Sequence, residues 1–213
     1  MINEKFEIYY NFLIEENAKY NLTAITERTE VEIKHFMDSL ALDKYVKVDG
    51  LKVCDVGSGA GFPGIPLKIM HPSMELTIIE PTLKRCNFLK ELCKKLDIEA
   101  NIICMRAEDA KEFREQFDIV LARAVARLNV LLELCTPLVK VGGKFIAYKG
   151  PDALVEVNEA VKAEKELNMK MVNSYIYDLD NGYGKRVLIE YLKVKNTPTI
   201  YPRVYSKIKK NSL

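Results

Sequence analysis

From Val53 to Pro66 the chain reads Val-Cys-Asp-Val-Gly-Ser-Gly-Ala-Gly-Phe-Pro-Gly-Ile-Pro, with glycines at 57, 59, 61 and 64. A β-rich run enters this segment and a helical pattern leaves it, so the glycines sit at a strand-to-helix junction. The backbone must turn there at torsions that other residues avoid, and a ligand must approach the main chain without meeting a Cβ. Pro63 suits the first helical turn, where its missing N–H costs nothing. This is the chemistry of a cofactor cradle.

Gly59, Gly61 and Gly64 also satisfy the Gly-x-Gly-x-x-Gly spacing of dinucleotide sites, so the glycines alone leave NAD open. Asp55 just ahead of the loop would repel a pyrophosphate but tolerate a cofactor carrying an amine and a sulfonium, such as S-adenosylmethionine. Phe62 and Pro63 also crowd the helix start where a diphosphate would seek N–H donors. About twenty residues on, Ile78-Ile79-Glu80 ends a second strand with a carboxylate able to accept from both ribose hydroxyls. After the third strand, Arg106-Ala107-Glu108-Asp109 has two readings: a small residue leaving room for adenine, or a helix start with acidic residues in its first turn. Arg123 closes the fourth strand, at the sheet end where open α/β folds bind ligands, and its guanidinium suits a carboxylate, a phosphate or a base oxygen.

These positions need a scaffold, and the rest of the chain supplies one. Apolar residues Phe6, Tyr9, Tyr10, Leu13 and Ile14 fall on one face of a helix from Glu4 to Tyr20. A second helix is expected behind a Thr29 cap with Glu32 three positions on. Beyond Asp49-Gly50, strands are predicted at Lys52 to Val56, Glu75 to Ile79, Asn101 to Met105, Phe117 to Ala122 and Lys144 to Lys149. Helical patterns alternate with them at Gly64 to Met70, Leu83 to Leu96, Ala107 to Phe113 and Arg127 to Val139, the signature of a parallel sheet with crossovers. Met169 to Asp178 and Lys185 to Lys193 are joined by a link too short for a crossover helix, so they should form an antiparallel hairpin. The expected fold class is α/β and Rossmann-like: a mostly parallel seven-stranded sheet with an antiparallel C-terminal hairpin, preceded by N-terminal helices. The expected units are 1–48 (helical), 49–193 (cofactor-binding) and 194–213 (a basic tail).

Composition is that of an ordinary globular protein, with 48% hydrophobic and 29% charged residues and a net charge of +2. The start, Met1 to Lys5, carries no basic region followed by an apolar run, and no stretch reaches membrane-spanning length, so a cytoplasmic protein is expected. The cysteines at 54, 86, 93, 104 and 135 form no Cys-x-x-Cys pair and read as buried thiols, with no metal expected. Residues 1–50 hold six basic and ten acidic side chains, whereas 193–213 hold six basic and none acidic. That tail interleaves cations with Tyr201 and Tyr205, which suits either phosphates and exposed bases or a solvated terminus.

Taken together, several motifs resemble the RsmG (GidB) family of bacterial methyltransferases acting on small-subunit ribosomal RNA. They are Asp55-Val-Gly-Ser-Gly-Ala-Gly-Phe-Pro-Gly-Ile-Pro66, Tyr20-Asn-Leu-Thr-Ala-Ile25, His35-Phe-Met-Asp38-Ser39, Lys84-Arg85, Leu121-Ala-Arg123-Ala-Val-Ala126, Lys149-Gly150 and Lys185-Arg-Val-Leu-Ile189. The resemblance covers nearly the whole chain. It implies a class I methyltransferase fold and S-adenosylmethionine as donor to N7 of one guanine in the decoding-region hairpin of 16S rRNA. It also carries cofactor contacts onto Gly57, Phe62, Ala107, Glu108 and Arg123. With the loop and strand-end readings, the expected cofactor set is Gly57, Gly59, Phe62, Glu80, Ala107, Glu108 and Arg123. Glu80 stands where relatives often carry aspartate, and the carboxylate is retained.

Guanine N7 presents an unshared pair in the ring plane, so its methylation needs no general base. The chain accordingly lacks the Asp/Asn-Pro-Pro-aromatic run of exocyclic-amine methylation, and Cys135 precedes Thr136-Pro137 rather than following a proline. Arg123 is assigned to orientation. Lys149, Arg186, Lys195, Arg203, Lys207, Lys209 and Lys210 are expected phosphate contacts to 16S rRNA or the small ribosomal subunit. The protein is expected to act as a monomer. Rival readings are an NAD-dependent oxidoreductase, a non-catalytic RNA-binding module and a small-molecule methyltransferase.

Overall fold

The computed structural model describes residues 4–213, and Met1 to Asn3, on which part of the reading of the chain start falls, lie outside the described residues. Helix α1 (Glu4–Tyr20) buries Phe6, Tyr9, Phe12 and Leu13. A second helical stretch opens with α2 (Arg28–Val31), widens into a π-helical segment (Glu32–Met37) and runs through α3 (Asp38–Leu40) into a 3₁₀ turn (Ala41–Lys44). Its cap is Glu27, not the expected Thr29: the Glu27 carboxylate accepts the N–H groups of Thr29 and Glu30, and a longer side chain reaches two orphan donors at once.

The sheet runs β3-β2-β1-β4-β5-β7-β6. Strands β1 (Lys52–Val56), β2 (Glu75–Ile79), β3 (Asn101–Ile103), β4 (Phe117–Arg123) and β5 (Val139–Lys149) pair in parallel, and β7 (Lys185–Lys193) runs antiparallel between β5 and β6 (Met169–Asp178). Between them come α4 (Gly64–Met70), α5 (Leu83–Leu96), α6 (Leu128–Cys135), α7 (Ala153–Glu159) and α8 (Val161–Glu166), and α9 (Tyr205–Lys210) follows β7.

Alternation along the central strands separates two cores. Val53, Ile119 and Leu121 pack against α1, α4 and α5, whereas Cys54, Val56, Val120 and Ala122 pack against α6 to α9. The result is a three-layer sandwich whose parallel strands all end on one edge.

Several expectations need correction. Ala107 to Phe113 is not one helix but two 3₁₀ turns, Ala107–Asp109 and Lys111–Phe113. β5 begins at Val139, five residues before the expected start, because Val139 pairs with Phe117 across a register shift. Residues 194–213 are no solvated tail: Tyr201, Ile208 and Leu213 are buried in the second core, and Arg114 donates to the carbonyls of Tyr201, Thr197 and Pro198. Cys104 is exposed, and the other cysteines are buried. No helix among the described residues is long and apolar enough to cross a membrane.

Candidate active site

A cavity of about 270 Å³ opens at the carboxyl ends of β1, β2 and β4, with Gly57, Glu80, Ala107, Glu108 and Val125 among its walls. Gly57 turns at φ +71°, and a Cβ on it would lie 2.6 Å from Val125 Cγ2, so only glycine leaves β1 here without strain. Glu80 is almost wholly buried, yet both oxygens are engaged: Oε2 accepts Gly59 N–H at 3.0 Å and Oε1 accepts Thr82 N–H at 3.0 Å. The Arg85 guanidinium stands 3.8 Å from Oε1. A carboxylate carries about four lone-pair sites, so Glu80 keeps capacity for hydroxyl donors. Val56, Ile79 and Leu134 give the cavity apolar walls, and Tyr205 of α9 closes one side of it.

These features fit an adenosyl cofactor. Glu80 is placed for a ribose diol, the apolar walls beside Ala107 suit a flat purine, and a backbone stripped of Cβ at Gly57 admits close approach.

Asp55 lies elsewhere than expected. It points to the opposite face of β1, wholly buried, where Oδ2 accepts Gly64 N–H at 2.8 Å and its Oδ1 has no hydrogen-bond partner. Burial raises its pKa to about 7, against the opposing pull of the Gly64 N–H, Ser58 and Arg123. It fastens the start of α4 to β1 rather than facing a ligand, and a Cβ at Gly64 would come within 2.8 Å of that carboxylate.

A larger adjoining cavity of about 520 Å³ is walled by His35, Asp38, Arg123, Tyr148, Lys149 and Arg186, and it shares Ala124 and Val125 with the first. Ala124 adopts φ +57° at the end of β4, an uncommon torsion for a residue with a Cβ. Arg123 is anchored by the N-terminal helices: Nη1 donates to Asp38 Oδ2 at 2.8 Å and to the Lys34 carbonyl at 3.2 Å. Its Nη2 lies 3.3 Å from His35 Nδ1, and His35 Nε2 lies 2.9 Å from Thr23 Oγ1. His35 Nδ1 also lies 3.2 Å from the Lys34 carbonyl, so this ring nitrogen sits between a guanidinium donor and a carbonyl acceptor. Burial and then the Arg123 charge push the His35 pKa down to about 3, so the ring is neutral. The far oxygen of Asp38 accepts from Tyr177 OH at 2.7 Å, which ties β6 into the same network.

The structure thus gathers Gly57, Glu80, Ala107 and Glu108 around one cavity and Arg123, Lys149 and Arg186 around its neighbour. Gly59 acts through the N–H it gives Glu80. Phe62 walls neither cavity: it is buried, stacked on Tyr9 at 5.3 Å and on His35 at 4.4 Å, with the Arg123 guanidinium 5.1 Å from its ring centroid. It holds the loop against the N-terminal helices.

Two expected phosphate contacts are already paired. Lys149 Nζ donates to Glu156 Oε2 and to the Ala126 carbonyl, both at 2.7 Å. Arg203 makes a two-pronged pair with wholly buried Glu133, with Nε–Oε1 at 2.8 Å and Nη2–Oε2 at 2.5 Å. Lys195, Lys207, Lys209 and Lys210 are exposed. His35, Asp38, Val125 and Tyr205 were missed as site residues, although the first two stand in the His35-to-Ser39 motif. Among the described residues no cluster of His, Cys, Asp or Glu is placed to hold a metal ion.

Comparison with known proteins agrees with this geometry. Among the solved structures that superpose, M. jannaschii TYW2 in complex with AdoMet gives a TM-score of 0.61 at 14% identity, over 75% of this chain and 76% of that one. The YcgJ protein of Bacillus subtilis gives 0.59 at 14% identity, over 76% of this chain and 100% of that one. Ribosomal RNA small subunit methyltransferase G of Mycoplasma capricolum is 48% identical, covering 99% of this chain and 91% of its own length. The protein of the same name from Carboxydothermus hydrogenoformans is 46% identical, covering 93% and 86%. A family model described as GidB, rRNA small subunit methyltransferase G, matches residues 2–179. The chain therefore belongs to the GidB family of small-subunit ribosomal RNA methyltransferases.

Proposed function

We propose that this methyltransferase modifies N7 of one guanine in the decoding-region hairpin of 16S rRNA, with S-adenosylmethionine as donor. The observation that carries the reading is the pair of cavities meeting at Ala124 and Val125. One suits an adenosyl group, and the other is wider and carries Arg123, Lys149 and Arg186 in its walls.

Gly57, Glu80, Ala107 and Glu108 would hold the cofactor. When bound, it supplies a methyl group made electrophilic by the adjacent sulfonium. The protein's own part is positional: a nucleophile with a free lone pair needs alignment rather than proton removal, and alignment alone is worth several kcal/mol of barrier. Arg123 serves that alignment. Its fork is fixed by Asp38 and the Lys34 carbonyl, so it presents a rigid edge to whatever enters the second cavity. His35, held neutral, adds no second positive charge beside a base that becomes cationic on methylation.

Arg186, Lys195, Lys207, Lys209 and Lys210 are proposed to bind RNA phosphates while the target base leaves its stack. Lys149 and Arg203, both already paired, are withdrawn from that set. The protein works in the cytoplasm, as a single chain.

The test is transfer from methyl-tritiated S-adenosylmethionine to naked 16S rRNA and to small subunits, followed by nucleoside analysis and mapping. The expected product is 7-methylguanosine at one hairpin position. Label at any other atom would overturn the assignment.

A further inference from the structure

The cofactor cavity is completed by a residue far from the glycine loop in sequence. Tyr205, first residue of α9, lines the same cavity as Ala107, Glu108 and Leu134. The Arg106 guanidinium lies 5.9 Å from its ring centroid. Within that wall, Glu80 marks the ribose end and the Arg106-to-Glu108 turn the purine end, which places Tyr205 at the purine end.

Its segment is fastened to the body of the fold on both sides. Before it, Arg203 donates its backbone N–H and its side chain to wholly buried Glu133. After it, Ile208 is wholly buried in the second core, and Asn129 Nδ2 donates to Ser212 Oγ at 3.0 Å. Glu133 and Leu134 are neighbours on α6, so one turn of that helix supplies both the anchor for the segment and a wall of the cavity. Tyr205 itself is 36% exposed. A ring so placed is not needed to fill the core, and it borders the cavity.

We infer that Tyr205 is a cofactor-binding residue: its ring packs against the adenine of the adenosyl group, and the anchored segment from Tyr201 to Leu213 is a wall of that site. This rests on the cofactor reading given above. An aromatic ring against a purine contributes on the order of 1 to 3 kcal/mol. Basic Lys207, Lys209 and Lys210 share the short helix with Tyr205, so phosphate binding there would hold the same wall in place.

The test is calorimetric titration of the full chain with S-adenosylhomocysteine and, separately, with adenosine. Tyr205→Ala is expected to weaken both about tenfold, which corresponds to about 1.4 kcal/mol, while Tyr205→Phe retains wild-type affinity. The melting temperature without ligand should stay close to wild type, because the side chain is not part of the core. Undiminished S-adenosylhomocysteine binding by Tyr205→Ala overturns the inference alone. An effect on S-adenosylhomocysteine with none on adenosine also overturns it, because the ring would then act at the methionine end. Failure of the wild-type chain to bind S-adenosylhomocysteine overturns the inference together with the cofactor reading.

Discussion

Arg123 Nη1 and Asp38 Oδ2 meet at 2.8 Å although 85 residues separate them in sequence. Both side chains are largely shielded, at 12% and 6% exposure. The pair joins the end of β4 to the N-terminal helices and fixes the guanidinium that faces the larger cavity.

Removing one partner of a shielded pair strands the other charge. Arg123→Ala should therefore lower the unfolding free energy by about 3 kcal/mol and methyl transfer by about a hundredfold. Arg123→Lys should not restore transfer, because an ammonium cannot bridge Asp38, the Lys34 carbonyl and His35 as a planar fork does. Urea unfolding and tritium transfer measure the two effects. Full transfer by Arg123→Ala would remove the orienting role.

Gly57→Ala introduces both a Cβ 2.6 Å from Val125 Cγ2 and a side chain at φ +71°. The torsion costs about 1 to 2 kcal/mol, and the contact displaces a cavity wall. S-adenosylhomocysteine affinity should fall at least about tenfold. Adding Val125→Ala removes the clashing methyl and should recover part of the loss, leaving the torsional share. Equal affinities for the single and double variants would show that crowding against Val125 is not the cause.

The His35 pKa is depressed by burial and by the Arg123 charge to about 3, whereas the unfolded imidazole titrates near about 6.5. The folded state binds the fewer protons, so this contribution is full above about 6.5 and falls by about 1.4 kcal/mol per pH unit toward 3. Asp55 runs the other way: its folded pKa is raised by burial to about 7, so its share is full below about 3.8 and is lost as pH rises through 7. In urea titrations from about pH 4 to pH 8, His35→Gln should flatten the acid limb and Asp55→Asn the alkaline one. An acid limb indifferent to His35→Gln would contradict the neutral assignment.

RNA affinity should fall with salt in proportion to the phosphates engaged. Lys207→Ala, Lys209→Ala and Lys210→Ala should each reduce the logarithmic salt slope by about 0.7 to 0.9. Arg203→Gln should leave the slope unchanged and lower stability instead, since Arg203 already neutralises buried Glu133. Filter binding at several salt concentrations separates the two behaviours. Equal slopes for the lysine variants and the wild type would exclude α9 from the RNA interface.

The central elements were legible in the sequence because each carries its own period. β1, β2, α4 and α5 fall at the expected bounds, their apolar residues alternating or recurring as one buried face requires. The short helices α7 and α8, at seven and six residues, offer fewer than two turns each, too little to establish a period. Within the site, Gly57 and Glu80 stand at strand ends where the sequence places them, whereas Ala107 and Glu108, in a 3₁₀ turn beyond β3, were carried by the family resemblance. Lys149, at the end of β5, is paired with Glu156, while Phe62 and Arg203 look available in the sequence until their partners are known. Those partners, Tyr9 and His35 for Phe62 and Glu133 for Arg203, stand far away in the chain. Order after β7 was hidden because Tyr201, Ile208 and Leu213 are too widely spaced among the cations to form a pattern.

Ala124 and Val125, the peptide that prolongs β4, line both chambers where they meet. Donor and acceptor are thereby registered against a single piece of backbone instead of two independently hung loops. Any displacement of that peptide reshapes both chambers at once, so the fits of the two guests are set jointly.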